Sequence, residues 1–188
     1  AAASTSRRSH LRAAKPVLGS TLRVHVQFLE LHMPSFELIA APHTPFATNG
    51  DLALDLVAQQ AAHLRGDGVQ GVLIAGSTGE GSSLSGNERR ALAARWTEAA
   101  DGLQVWIHIG HNSPREAASL AAHAAEIGAH GICAAPPSWF PLGSVDRLVD
   151  TCAEMAAGAP DLPFLYYHIP VLSHVNVPMV KFAAAARD

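Results

Sequence analysis

Short apolar runs alternate with longer segments of helical spacing along most of the chain. Glu37 to Pro42 is an apolar run closed by a proline and reads as a first strand. Asp51 to Leu64 brings Leu52, Leu56, Val57 and Ala61 onto related faces, which predicts a helix. Further strands are predicted at Gly71–Ala75, Gln104–Ile109, His130–Ala135 and Pro163–Tyr167. Ser85-Gly-Asn-Glu88 and Ser113-Pro-Arg-Glu116 have the spacing of capping boxes, in which serine and glutamate satisfy the free N–H groups of a helix start. They open helices toward Ala100 and toward Ile127, the second stopped by Gly128. Two more helices are predicted over Ser144–Ala157 and Pro178–Ala186.

The repeat is about 30 residues long, the size of a βα unit. Several of the strands are apolar throughout, as parallel strands covered on both faces must be. A doubly wound sheet and a TIM barrel both fit this alternation. Gly76-Ser-Thr-Gly-Glu-Gly81 follows a strand but is neither GxGxxG nor a GK[ST] loop, so the nucleotide-binding reading of the doubly wound sheet has no support. The expected class is α/β, a TIM (β/α)8 barrel of which about five units are present.

Composition sharpens this picture at the edges. The chain has 188 residues, 48% of them hydrophobic and 15% charged, which places it with globular proteins. No apolar run reaches the roughly 18 residues of a membrane span, and the body has no basic face suited to nucleic acid. Residues 1–32 differ from the rest: Arg7, Arg8, Arg12, Lys15 and Arg23 stand against the single acid Glu30. They read as a non-native or flexible extension, with Met33 as the natural start and residues 33–188 as a partial barrel domain; an organellar targeting segment is the other reading. Cys133 and Cys152 make no disulfide framework and read as one buried strand residue and one helix residue. A cytoplasmic location is compatible with that usage.

The chemistry sits at the ends of the strands. Ser77 and Thr78, on a glycine-rich turn just before a helix, offer hydroxyls and backbone N–H groups to a small anion. The alternative is an ordinary βα turn that bonds its own hydroxyls. His108, His111 and His168 form neither HExxH nor a tight ligand cluster, so no metal is expected. His111 and Asn112 are candidates for substrate contact, set against local hydrogen bonding.

Gly76-Ser-Thr-Gly-Glu80, followed by Leu84-Ser85 and Glu88-Arg89, resembles the hallmark turn of the dihydrodipicolinate synthase and N-acetylneuraminate lyase superfamily. Ala40-Ala41 with Thr44-Pro-Phe46, and Leu162-Pro-Phe-Leu-Tyr-Tyr-His-Ile-Pro170, resemble the family's first strand and its tyrosine-bearing strand. The similarity runs from Ser35 to about Asp188. It implies a pyruvate-dependent class I aldolase in which Ser77, Thr78 and Gly79 hold the pyruvate carboxylate and Tyr167 moves protons. Ala41 and Ile169 are implied pocket walls, and Tyr166 is expected to point away as a packing residue. No cofactor or metal is implied, because a lysine imine serves as the electron sink. That lysine is expected roughly 30 residues beyond Tyr167, past Asp188, so these residues alone are expected to be inactive. Lys181 lies mid-helix and is not a substitute.

Within the family, Tyr166-Tyr167-His-Ile-Pro170 and His123-Ala-Ala-Glu-Ile-Gly128 resemble the N-acetylneuraminate lyase branch. The implied reaction is cleavage of a sialic acid to N-acetylmannosamine and pyruvate, by a homo-oligomer, commonly a tetramer. Leu172 stands where the synthases usually carry an arginine for the second substrate. Ser138-Trp139-Phe140 stands where many relatives have a relay tyrosine. The alternatives are the synthase or another 2-oxo-acid aldolase and, from a different class, a non-catalytic fragment that binds a keto acid or a partner protein.

Overall fold

The computed structural model describes residues 37–187. The expectations about residues 1–32 and Met33 lie outside them. Five strands, β1 (Ile39–Ala40), β2 (Gly71–Ile74), β3 (Gln104–His108), β4 (Gly131–Ala134) and β5 (Phe164–Tyr166), form one sheet. All four pairings are parallel and the spatial order is β1-β2-β3-β4-β5. A doubly wound sheet reverses direction at a switch point. Unbroken sequential order is instead the arrangement of consecutive barrel strands, so the α/β expectation and the barrel choice both hold.

The connections are α1 (Val57–Gly66), α2 (Gly86–Ala99), α3 (Pro114–Glu126) and α4 (Val145–Ala156), with α5 (Pro170–Ser173) and α6 (Met179–Ala185) after β5. Neighbouring helices α1 to α4 pack in sequence, and α6 packs on α4. One helical layer therefore covers one face of the sheet.

Alternate strand residues face opposite ways, and the register carries that parity across the sheet. Val72, Ile74, Val105, Ile107, Ile132 and Ala134 join Leu92, Trp96, Leu120, Leu148 and Met155 in a single buried core between sheet and helices. The other parity holds Leu73, Trp106, His108, Gly131, Cys133 and Leu165, which form the inner face. There the Trp106 ring crowds Gly131, where a Cβ would fall 2.3 Å from it.

Two local expectations need correction. The first helix starts later than Asp51: Phe46 and Leu52 form an antiparallel bridge, a 3-10 turn follows at Leu54–Leu56, and α1 begins only at Val57. The bridge draws Leu52 into extended backbone and delays the helix. The Ser85–Glu88 capping box is complete: the Ser85 hydroxyl and then its N–H donate to the Glu88 carboxylate, each at 2.7 Å, and lower the pKa of that carboxyl. The Ser113 box is only half formed. Ser113 Oγ accepts from Glu116 N–H, but Ser113 N–H donates to His111 Nδ1 at 2.9 Å, and Glu116 pairs with Arg90 at 3.1 Å instead. The remaining strands and helices lie within the predicted spans, apart from α5, which the sequence did not suggest.

Both cysteines are free and buried, Cys133 in β4 and Cys152 in α4. Burial pushes each thiol up to about 12. Among the described residues no helix is long and apolar enough to cross a membrane, and no cluster of side chains could hold a metal ion.

Candidate functional site

The C-terminal ends of the strands converge on a cavity of about 240 Å³. Gly76, Ser77 and Ser82 after β2, His108 and Gly110 through Asn112 at the end of β3, Ala135 to Ser138 after β4, and Ile169, Leu172 and Ser173 after β5 supply its walls. This is the end of the barrel on which active sites sit.

The turn after β2 is tightly built. Gly81 N–H donates to Gly76 O at 3.0 Å, and Glu80 N–H to Ser77 O at 3.2 Å. Ala75 and Glu80 flank it at φ values of 52° and 53°, in the left-handed region where non-glycine residues are uncommon and where functional turns concentrate. Gly81 is obligatory, since a Cβ would fall 1.7 Å from Ala75 O. The buried Thr44 hydroxyl donates to Gly79 O at 2.6 Å and ties the first βα turn to this one. Ser77 and Thr78 are left exposed at its crest.

His108 is the one buried histidine among the described residues. Its Nε2 accepts the N–H of Ala135 at 3.1 Å, so in the neutral ring the proton resides on Nδ1. The Arg89 guanidinium, also buried, lies behind it and donates to the carbonyl oxygens of His108 and of Gly110, the latter at 3.0 Å. Burial foremost, and then the Arg89 charge, push the imidazole down to about 3. It is neutral throughout the physiological range. Burial also lowers Arg89, to about 10, which leaves it charged at neutral pH. Its Nε has no partner.

Tyr167 follows β5 on the inner parity. Its N–H donates to Ala134 O at 2.8 Å, and its ring meets the His108 ring edge to face, with centroids 6.0 Å apart at 83°. Tyr166, on the opposite parity, packs on Phe182 of α6 with centroids 4.7 Å apart. Burial, and then Cys152, raise its phenol to about 12. The two tyrosines therefore diverge as expected.

Of the residues singled out from the sequence, Ser77 and Ile169 line the cavity directly, and Tyr167 reaches it through His108. Thr78 and Gly79 belong to the same turn as Ser77 without lining the cavity, and neither does Ala41, which is exposed just after β1. His111 and Asn112 lie on the cavity wall and also make the local hydrogen bonds weighed for them: His111 to Ser113 N–H, and Asn112 Oδ1 to the N–H groups of Ser138 and Trp139, both at 3.0 Å. Trp139 and Phe140 are exposed beyond that clasp. Lys181 is exposed on α6, outside the cavity lining. From the sequence His108 is weighed only as a metal ligand. Its place in the last turn-ward position of an apolar strand was the signal, because that is where barrel chemistry resides.

Comparison with known proteins matches residues 35–186 to the model of the dihydrodipicolinate synthetase family. The N-acetylneuraminate lyase of Homo sapiens is 44% identical over 143 residues, which cover 74% of this chain and 45% of that protein. Among solved structures, the N-acetylneuraminate lyase of Proteus mirabilis superposes with a TM-score of 0.78 at 39% identity, covering 80% of this chain and 51% of that one. A prophage protein of the dihydrodipicolinic acid synthase family from E. coli K12, solved with pyruvate, gives 0.74 at 28% identity, covering 80% and 51%. The chain spans about half the length of the curated relatives it matches.

Proposed function

Since the chain belongs to the dihydrodipicolinate synthetase family, we propose that it is part of a pyruvate-dependent, Schiff-base carbon–carbon lyase of the N-acetylneuraminate lyase kind. The observation that carries this reading is the cavity at the strand ends, which joins the Ser77 turn to the His108–Tyr167 pair. A small 2-oxo acid fits such a space. Its carboxylate is held by the hydroxyls and N–H groups of Ser77 and Thr78, with Gly79 letting the turn approach closely. Tyr167 carries protons to and from the reacting carbons. Proton transfer by a phenol held at the strand ends is general acid–base catalysis. Ile169 bounds the apolar side of the bound keto acid.

The nucleophile of this chemistry is a lysine that the resemblance puts on the strand after β5. In the activity proposed here it forms the imine that withdraws electrons from the breaking bond, so the reaction calls for no metal or other cofactor. The substrate class is a sialic acid or a related 2-oxo-acid sugar, and a cytosolic homo-oligomer belongs to the same proposal. Leu172 supports the lyase over the synthase. It lines the cavity with an aliphatic side chain where a cation for a second carboxylate would be needed.

The test uses the full polypeptide that includes the next βα unit. Borohydride reduction in the presence of pyruvate is expected to leave a stable adduct on one lysine, and absence of an adduct refutes the reading. Ser77→Ala is expected to raise the KM for pyruvate roughly 10-fold or more, the effect of losing a hydrogen bond to a charged group. Tyr167→Phe is expected to lower kcat by about 10²- to 10⁴-fold. Release of pyruvate from sialic acid, compared with release from other 2-oxo-acid sugars and with condensation to an amino-aldehyde, assigns the substrate.

A further inference from the structure

We propose that His108 is a positioning residue that acts through Tyr167: a neutral imidazole, fixed in one tautomer, that sets where the phenol sits against the cavity. This rests on the lyase reading of the site.

Three strand ends meet at this ring. His108 closes β3, its Nε2 takes the N–H of Ala135 just past β4, and its ring meets Tyr167 just past β5. The backbone is bonded across the same ends, with Ile109 N–H donating to Cys133 O at 2.7 Å and Tyr167 N–H to Ala134 O at 2.8 Å. Those bonds fix the Cα of Tyr167 but leave the two torsions of its side chain free. Among the described residues the aromatic contact of the Tyr167 ring is His108. An edge-to-face pair restrains those torsions without drawing on the phenol hydroxyl, which stays available for proton transfer.

The restraint is only as good as the ring that provides it, and His108 is held from two sides. Ala135 N–H fixes the plane of the imidazole, and Arg89 holds the carbonyl of the same residue together with that of Gly110. The Arg89 charge also disfavours a second proton on the ring. Ser173 and Leu172 face the same cavity from α5, and Tyr167 adjoins it through His108, so a Tyr167 ring that swung away from His108 would lose its link to the cavity.

Two variants divide the contact into its parts in the full-length protein. His108→Phe keeps a ring against Tyr167 and removes the acceptor for Ala135 N–H. His108→Gln keeps an acceptor and removes the ring. The expected order of kcat is wild type, then Phe, then Gln, with Gln about 10-fold or more below wild type and the KM for pyruvate within about 3-fold. Gln equal to or faster than Phe overturns the proposal. The decisive measurement is a double-mutant cycle with Tyr167→Phe. If His108 works through the phenol, His108→Gln adds less than about 2-fold to the loss already caused by Tyr167→Phe. A merely structural role costs the same factor in both backgrounds, and that additive result overturns the proposal while leaving the lyase reading intact. No imine and no turnover in the wild-type protein overturns the lyase reading, and the role of His108 with it.

Discussion

The two faces of the sheet are made from alternate residues of the same strands, yet they differ in what fills them. The helix-facing side is apolar and closed, with Val72, Ile107, Ile132, Trp96, Leu120 and Met155 at most 4% exposed. The inner side mixes Trp106, Cys133 and the titratable His108, and it reaches the surface at Leu165, which is 43% exposed. One face can be filled by hydrophobic burial alone. The other must leave room for a cavity and keep its polar groups partnered, which is why His108 and Arg89 are bonded to backbone atoms on several strand ends. Stability and chemistry are thus separated by strand parity. A single-residue register slip would exchange them.

The largest expected effect tests the closed face. Trp96 is 1% exposed and is the largest of the fully buried side chains. Trp96→Ala is expected to destabilise the full-length protein by about 3–5 kcal/mol, the sum of lost transfer energy and an unfilled cavity. Urea unfolding measures it as a lower midpoint at nearly constant slope. A shift below about 1 kcal/mol would mean that the helix layer repacks freely and that the contrast between faces is one of composition only.

A smaller effect, confined to the inner face, is acid sensitivity. Burial, and then the Arg89 charge, push the imidazole of His108 down to about 3 in the fold, against about 6.5 for a free histidine side chain. A depressed pKa contributes stability that is fully present above the unfolded value. It is lost as the pH falls from about 6.5 toward 3, because the unfolded chain then binds the extra proton. This one group can supply a slope of at most about 1.4 kcal/mol per pH unit in that window. Urea midpoints between pH 7 and pH 4.5 are expected to fall more steeply in the wild type than in His108→Gln, and parallel slopes would remove His108 as the source. Trp96→Ala leaves His108 in place and should shift the whole curve without changing its slope.

The closed face was legible in the sequence because it obeys periodicity. Strands covered on both sides read as apolar runs, and helices with Leu120 and Ala124 at one spacing and Leu148, Cys152 and Met155 at another display their buried stripe. The tyrosine pair was legible for the same reason, since neighbours in a strand must diverge. What escaped was non-local. The Phe46–Leu52 bridge that delays α1, and the His111 ring that takes the Ser113 N–H, depend on a loop geometry that local spacing does not report. The four-residue α5 is too short to show a period. His108 is written inside an apolar strand, where the same letter describes a core residue and a site residue. Only the register, which sets it beside Cys133 and one step from Ala135 and Tyr167, tells them apart.

The smallest perturbation uses one natural reporter on each face. Cys133 lies on the inner parity and Cys152 beneath α4 in the helix-facing core, and burial pushes both thiols up to about 12 from 9.0. Because the thiolate is the reactive form, that shift alone lowers its abundance at neutral pH about 1,000-fold. Both cysteines are therefore expected to resist a thiol-alkylating reagent at pH 7.5 in native buffer and to label on unfolding, with the substitution sites read by mass spectrometry. The comparison sharpens in sub-denaturing urea. Local opening draws on the least-packed part of a structure first; Cys152 lines a cavity of its own beside Tyr166 and Phe182, but the inner face adds the exposed edge at Leu165. Cys133 is then expected to label ahead of Cys152. Simultaneous labelling at the global midpoint would show one cooperative unit across both faces. Cys152 labelling first would place the weaker seam between α4 and α6, beside Tyr166 and Phe182, and would reverse the contrast drawn between the two faces.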